Sequence, residues 1–182
     1  MSNKELTYSD PTDLRDRMPD SDLVELTTEG REAPDDVEAF LDNAVLHAQG
    51  EGTDLTASEE KVGRIIRGAL VHGEGRVNSR VGASYRLPAL GPDGTVPSEI
   101  ENAVMILAEE NIRDRRPRRT RGNNEVADIT RRANEVRRWL KAVSKGNAII
   151  ARLDATGTEG EAKSGAGSGT ANRNSRSFSS GW

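Results

Sequence analysis

The sequence predicts an all-α protein, a small helical bundle over residues 1–153 followed by a long extended C-terminal arm over residues 154–182. Three observations carry that prediction. Four segments repeat apolar residues at helical spacing. A composition of 34 % hydrophobic and 3 % aromatic residues supports a small core and no large cleft. Beyond Asp154 the stretch TGTEGEAKSGAGSGTANRNSRS has no apolar period and builds no core by itself, so it reads as flexible. A chain of 182 residues sets an expectation of about one domain.

Two short helices are expected first, one starting at Ser9 or Asp10 with Pro11 in its first turn, the next at Ser21 or Asp22. A longer one follows. Pro34, Asp35 and Asp36 suit its start, Val37, Phe40, Leu41, Ala44 and Val45 form its apolar stripe, and Gly50 ends it. In the next helix Ser58 is the expected cap, Glu59 and Glu60 fill the first turn, and Val62, Ile65, Ile66, Ala69 and Leu70 repeat the stripe. Gly63, Gly68, Gly73 and Gly75 lie in or near it, and each interior glycine costs about 1 kcal/mol relative to alanine. Close packing or a break is expected there.

The loop LPALGPDGTVP, from Leu87 to Pro97, is turn-rich, and its Pro-Asp-Gly can also close a small hairpin. Ser98 with Glu101 then reads as a capping box ahead of Ile100, Val104, Leu107, Ala108 and Ile112, and Pro117 ends that helix. In the last helix Val126, Ile129, Ala133, Val136, Leu140 and Val143 follow a 3,4 spacing that needs a partner helix, with Gly146 as C-terminal cap. Two heptads are too few for a coiled coil, so the seam reads as bundle core.

Composition excludes several chemistries. No cysteine means no disulfide, thiolate nucleophile or zinc–cysteine site, and His47 and His72 alone make no histidine-rich metal cluster. Each sits in or at the end of a helix without a nucleophile motif, and His72-Gly73-Glu74-Gly75 lacks the Gly-Lys-Ser/Thr ending of a phosphate loop. The chain is therefore expected to be no enzyme, with no cofactor and no metal. No run approaches the roughly 18 apolar residues that span a bilayer, and MSNKELTYSD lacks the parts of a signal peptide, so a soluble, unsecreted protein with no membrane partner is expected.

Charge is polarised. Residues 1–60 hold 17 acids and 4 bases, residues 61–153 hold 10 acids and 19 bases, and the arm is neutral. The acidic part can pair with the basic part of its own chain or of a neighbouring copy, and the second option builds rings or filaments. The densest feature is Arg113, Arg115, Arg116, Arg118, Arg119 and Arg121, opposed only by Asp114. These arginines are expected to face a neighbouring subunit's carboxylates or DNA phosphates. With no interleaved aromatic and no helix-turn-helix or zinc-finger pattern, sequence-specific reading is not expected. The chain closes on RSFSSGW. Phe178 and Trp182 there look like an anchor on a tether, a spacer that gives reach and aromatics that bury in a partner's pocket.

Several motifs in order carry a resemblance: YSDPTDLRDRMPDSDLVELT from Tyr8 to Thr27, a glycine-bearing helix running into RVNSRVGASYRLPAL from Arg76 to Leu90, VPSEIENAVMILAEENI, RRWLKAVSKGNAII, and the closing RSFSSGW. Together they resemble the head-to-tail connector (adaptor, or head-completion) proteins of long-tailed bacteriophages, in particular the family of Mu-like phages. The stretch from about Val37 to Asp54 is longer than that family's pattern, and the terminal motif is shorter. The resemblance implies a structural virion protein. In it, a homo-oligomeric, twelve-fold ring sits beneath the portal protein at the capsid–tail neck, after assembly in the host cytoplasm. The C-terminal arm enters the portal, with Arg176, Phe178, Gly181 and Trp182 as portal-binding residues, and the other face receives a tail-side connector or tail terminator protein. Genomic DNA passes through its channel without sequence-specific binding. The alternative, from a different class, is a small DNA-binding packaging protein that uses the Arg113 to Arg121 run.

Overall fold

A computed structural model describes residues 6–28, 34–51, 54–115, 123–151 and 153. Among them are six helices: α1 (Pro11–Arg17), α2 (Asp20–Thr27), α3 (Val37–Gln49), α4 (Ala57–Val81), α5 (Ser98–Asp114) and α6 (Asn123–Val143). The only extended feature among the described residues is an isolated bridge at Tyr85. The all-α prediction holds for this part of the chain. No helix among the described residues is long and apolar enough to cross a membrane.

The long α4 organises the rest. At 1.5 Å per residue its 25 residues run about 37 Å. One apolar cluster lies along its first half, where Val62, Ile66 and Leu70 meet Leu14 of α1, Leu23 of α2, Phe40 and Leu41 of α3, and Met105 and Ile112 of α5. A second lies along its last half, where Val77 and Val81 meet Tyr8, Tyr85, Ile100 and Leu107 of α5, and Ile129, Ala133, Leu140 and Val143 of α6. The α5 helix therefore runs back along α4 and bridges both clusters.

Caps decide where these helices begin. Asp10 accepts from Thr12 N–H at the start of α1, with Pro11 in the first turn. Asp36 accepts from Ala39 N–H, and Pro34 lies outside α3. For α4 the cap is Thr56 and not Ser58: the Thr56 hydroxyl accepts from Glu59 N–H at 3.3 Å while the Glu59 carboxylate accepts from Thr56 N–H at 2.6 Å, a reciprocal capping box. The Ser98–Glu101 box expected for α5 does not form. Pro97 occupies the cap position without a side-chain acceptor, its carbonyl takes the N–H of Ile100 and Glu101, and the Ser98 hydroxyl turns to Glu99. Likewise α2 starts at Asp20, behind Pro19, ahead of the serine expected to open it.

Gly50 and Gly146 end helices as expected, both at positive φ, where a side chain costs more than glycine does. After α6 the N–H of Asn147 reaches back to Ala142 O, the long bond of a Schellman motif. In the loop before α5, Gly91 N–H donates to Thr95 O and Gly94 N–H to Gly91 O, so Pro-Asp-Gly closes a tight turn without flanking strands. The α5 helix stops at Asp114; Pro117 lies outside the described residues.

The α6 seam is core. Ile129, Ala133, Leu140 and Val143 are buried and Val136 is half-buried, while the Val126 side chain lies outside the described residues. Leu140→Ala is expected to destabilise the protein by about 2–5 kcal/mol. Urea unfolding checks it, and a loss below about 1 kcal/mol would remove Leu140 from the core.

Candidate functional site

The motif opening at Tyr8 is tied to the motif that runs from Arg76 to Leu90. Glu74, buried on α4, accepts through one carboxylate oxygen from Thr7 N–H (2.8 Å), Tyr8 N–H (2.7 Å) and the Ser9 hydroxyl (3.1 Å). The Tyr8 hydroxyl donates to Asn78 (2.7 Å) and accepts from Ala89 N–H (2.8 Å). Burial raises the Tyr8 phenol above its ordinary pKa; the Ala89 N–H opposes this and the Glu74 charge adds to it. Two separated stretches of chain, residues 7–9 and the segment at Ala89, thus converge on the C-terminal half of α4.

A second tie fixes the root of the arm. The Ser84 hydroxyl donates to Val143 O at 2.9 Å and the Tyr85 hydroxyl accepts from Ile150 N–H at 3.1 Å, with Tyr85 and Ile150 both buried. The end of α6 and the residues after it therefore lie against the turn that follows α4. Ile149, beside the buried Ile150, is 82 % exposed.

The arginine run divides. Arg113 pairs with Glu109 (3.1 Å) and reaches Asp22 (3.9 Å), with its side chain 13 % exposed, so it belongs to a network joining α2, α5 and α6. Arg132 approaches Glu109 at 3.8 Å, and Arg137 pairs with Glu110. Arg115 is exposed just past α5. Arg116, Arg118, Arg119 and Arg121 lie outside the described residues, as do Arg176, Phe178, Gly181 and Trp182. The structure thus brings one member of the run into the monomer and leaves Arg115 on its surface.

His47 and His72 do not meet. His47 packs over Gly63 where α3 crosses α4, and His72 is exposed on α4. Among the described residues no group of three or more histidines, aspartates or glutamates stands close enough to hold a metal ion. A cavity of about 470 Å³ opens between the end of α2 and the starts of α3 and α4, lined in part by Thr28, Phe40, Glu59 and Lys61. Both of its carboxylates are already committed: Asp36 caps α3, and Asn43 donates to Glu59 at 2.7 Å, a bond that with those from Thr56 holds the Glu59 pKa below its ordinary value against the effect of burial.

Sequence reasoning named Tyr8, Ser9 and the Arg76–Leu90 motif but missed Glu74 as the common acceptor for residues 7–9. The signal was present. Glu74 follows Leu70 by four positions and precedes Val77 by three, so an acid stands on the buried side of an amphipathic helix, where only a dedicated set of donors makes it tolerable.

A family model described as Bacteriophage Mu, Gp36 matches residues 8–168, from Tyr8 through the bundle and into the arm. No curated protein and no solved structure matches the chain.

Proposed function

The chain belongs to the bacteriophage Mu Gp36 family, a phage protein of structural or assembly character, and from that premise we propose that it is a head-to-tail connector. In this reading copies form a ring, twelve-fold as the resemblance implies, beneath the portal at the capsid–tail neck. The ring extends the DNA channel without reading sequence, and a tail-side connector or terminator docks on its other face.

The observation that carries the reading is the fixed root of the arm. Ser84 and Tyr85 hold residues 143 and 150 against the end of α4, so the arm departs from a defined point on a rigid bundle. Twenty-nine residues follow, ending in Phe178 and Trp182. Fully extended, that length reaches up to about 100 Å, enough to cross a neighbouring subunit. Ordering so polar a segment costs about 1–2 kcal/mol per backbone residue, which only partner contacts offset, and the two aromatics supply the apolar area for such contacts. Repetition around a ring turns a modest interaction per arm into a firm joint.

Deletion of residues 176–182 tests this. The truncated chain is expected to keep the parent's helical circular dichroism and melting point, to lose co-sedimentation with portals, and to give DNA-filled heads without tails when it replaces the parent in infection. Normal attachment by the truncated chain would overturn the anchor.

A further inference from the structure

The fold gathers basic residues at one end of the bundle. Arg76 and Arg80 lie one turn apart on the exposed surface of α4, Arg86 follows that helix, and Lys141 and Lys145 are exposed at the end of α6. The Ser84–Val143 and Tyr85–Ile150 bonds hold these two stretches together. Among the described residues no carboxylate pairs with any of the five, although Glu99 and Glu101 in the first turn of α5, and Asp93 in the turn before it, reach the same end. Like charges at i,i+4, as at Arg76 and Arg80, weaken a helix by a few tenths of a kcal/mol. Among the described residues no acidic side chain offsets that.

The complementary charge is on the same molecule and out of reach. Asp35, Glu38 and Asp42 are exposed on one side of the start of α3, and only Asp42 has a cationic partner, Arg15. The α3 helix lies along the first half of α4, placed there by the Asn43–Glu59 bond and by Arg67 donating to Ala48 O. From Glu59 to Arg80 the axis of α4 rises about 30 Å. That is several times the screening length of about 8 Å at physiological salt, so the two charged surfaces do not neutralise each other within one chain.

We propose that the basic end formed by Arg76, Arg80, Arg86, Lys141 and Lys145 docks on the acidic side of α3 in a second copy of this chain. Such a contact joins two different surfaces, is therefore head-to-tail, and closes into a ring where its rotation permits. A second copy fits better than a nucleic acid because every copy itself carries the complementary charge, residues 1–60 holding 17 acids against 4 bases. The proposal deepens the ring reading and rests on it, since it names the surfaces through which copies meet.

Sedimentation velocity of the full chain at 50 and 500 mM NaCl tests it. The parent is expected to form larger species at low salt and to lose them at high salt. Reversal of the basic end (Arg76→Glu, Arg80→Glu, Lys141→Glu) and reversal of the acidic side (Asp35→Lys, Glu38→Lys) should each leave a folded monomer at 50 mM, while an equimolar mixture of the two associates again. The neutral variant Arg76→Gln, Arg80→Gln, Lys141→Gln replaces the first if its circular dichroism shows misfolding, and should associate at least tenfold more weakly than the parent. A parent monomeric at both salts, or reversals that leave association intact, would overturn the proposal. So would binding of a 30-base-pair duplex that disappears on reversal of the basic end while self-association persists, which would mark a nucleic-acid surface. Rings that still form on portals with either surface reversed alone would remove this contact and keep the connector reading. Copies that associate as described yet never engage portals would do the opposite.

Discussion

Gly73→Leu is expected to destabilise the bundle by about 3 kcal/mol in urea unfolding. A Cβ at this position lies 2.7 Å from the carbonyl oxygen of Val104 and 3.2 Å from its Cγ1, so backbone, not a side-chain tip, is what obstructs it. The α4 and α5 helices meet there at the junction of the two apolar clusters, and separating them loosens both. The control lies on the same helix. At Gly68 and Gly75 an added Cβ meets nothing within 4 Å, so Gly68→Ala and Gly75→Ala should each stabilise the chain by up to about 1 kcal/mol through helix propensity alone. Two glycines that resist any side chain, Gly73 and also Gly63 against Ala44 O, and two that welcome one form a pattern that general helix weakness does not produce. A Gly73→Leu chain that unfolds within about 1 kcal/mol of the parent would show that α4 and α5 do not approach as closely as described.

That contrast also marks how far the sequence was legible. Four glycines in one helix announced close packing or a break, and periodicity placed Val62, Ile66 and Leu70 in the core, where they are. Which glycine faces a neighbour depends on where α3 and α5 cross α4, a tertiary fact that spacing along one helix does not contain. Caps failed for a related reason: Ser58 and Ser98 are good cap residues by type, but Thr56 with Glu59, and Pro97 with its extended backbone, sit where the chain actually turns. The apolar seam of α6 was legible because a 3,4 repeat has one physical use in a bundle. The convergence of Tyr8, Glu74, Asn78 and Ala89 was not, since its hydrogen bonds join residues 66 to 81 positions apart. Of the sequence-derived interface residues, Arg113 turned inward because Glu109 stands one turn before it and Asp22 is brought alongside by α2. The basic end is visible only once Ser84 and Tyr85 bring α4 and α6 together.

Glu74→Ala is the second large effect expected, and it separates hydrogen bonding from packing. One carboxylate oxygen holds the Thr7 and Tyr8 N–H groups and the Ser9 hydroxyl, and the Tyr8 ring behind them is 2 % exposed in the second apolar cluster. Alanine leaves the buried Tyr8 N–H without an acceptor and removes two further charge-assisted bonds. A buried group left unsatisfied costs about 1–3 kcal/mol, so a total loss of about 2–4 kcal/mol is expected. Glu74→Gln keeps an acceptor oxygen of the same shape and gives up the charge, and should cost about 1 kcal/mol. Hydrogen exchange localises the effect: the Tyr8 amide should lose its protection in Glu74→Ala and keep most of it in Glu74→Gln, while amides in the middle of α5 change only through global unfolding. If glutamine proved as damaging as alanine, the negative charge and not the acceptor geometry would hold the segment before α1 in place. If alanine cost under about 0.5 kcal/mol, residues 7–9 would not be fastened to α4 through this carboxylate at all.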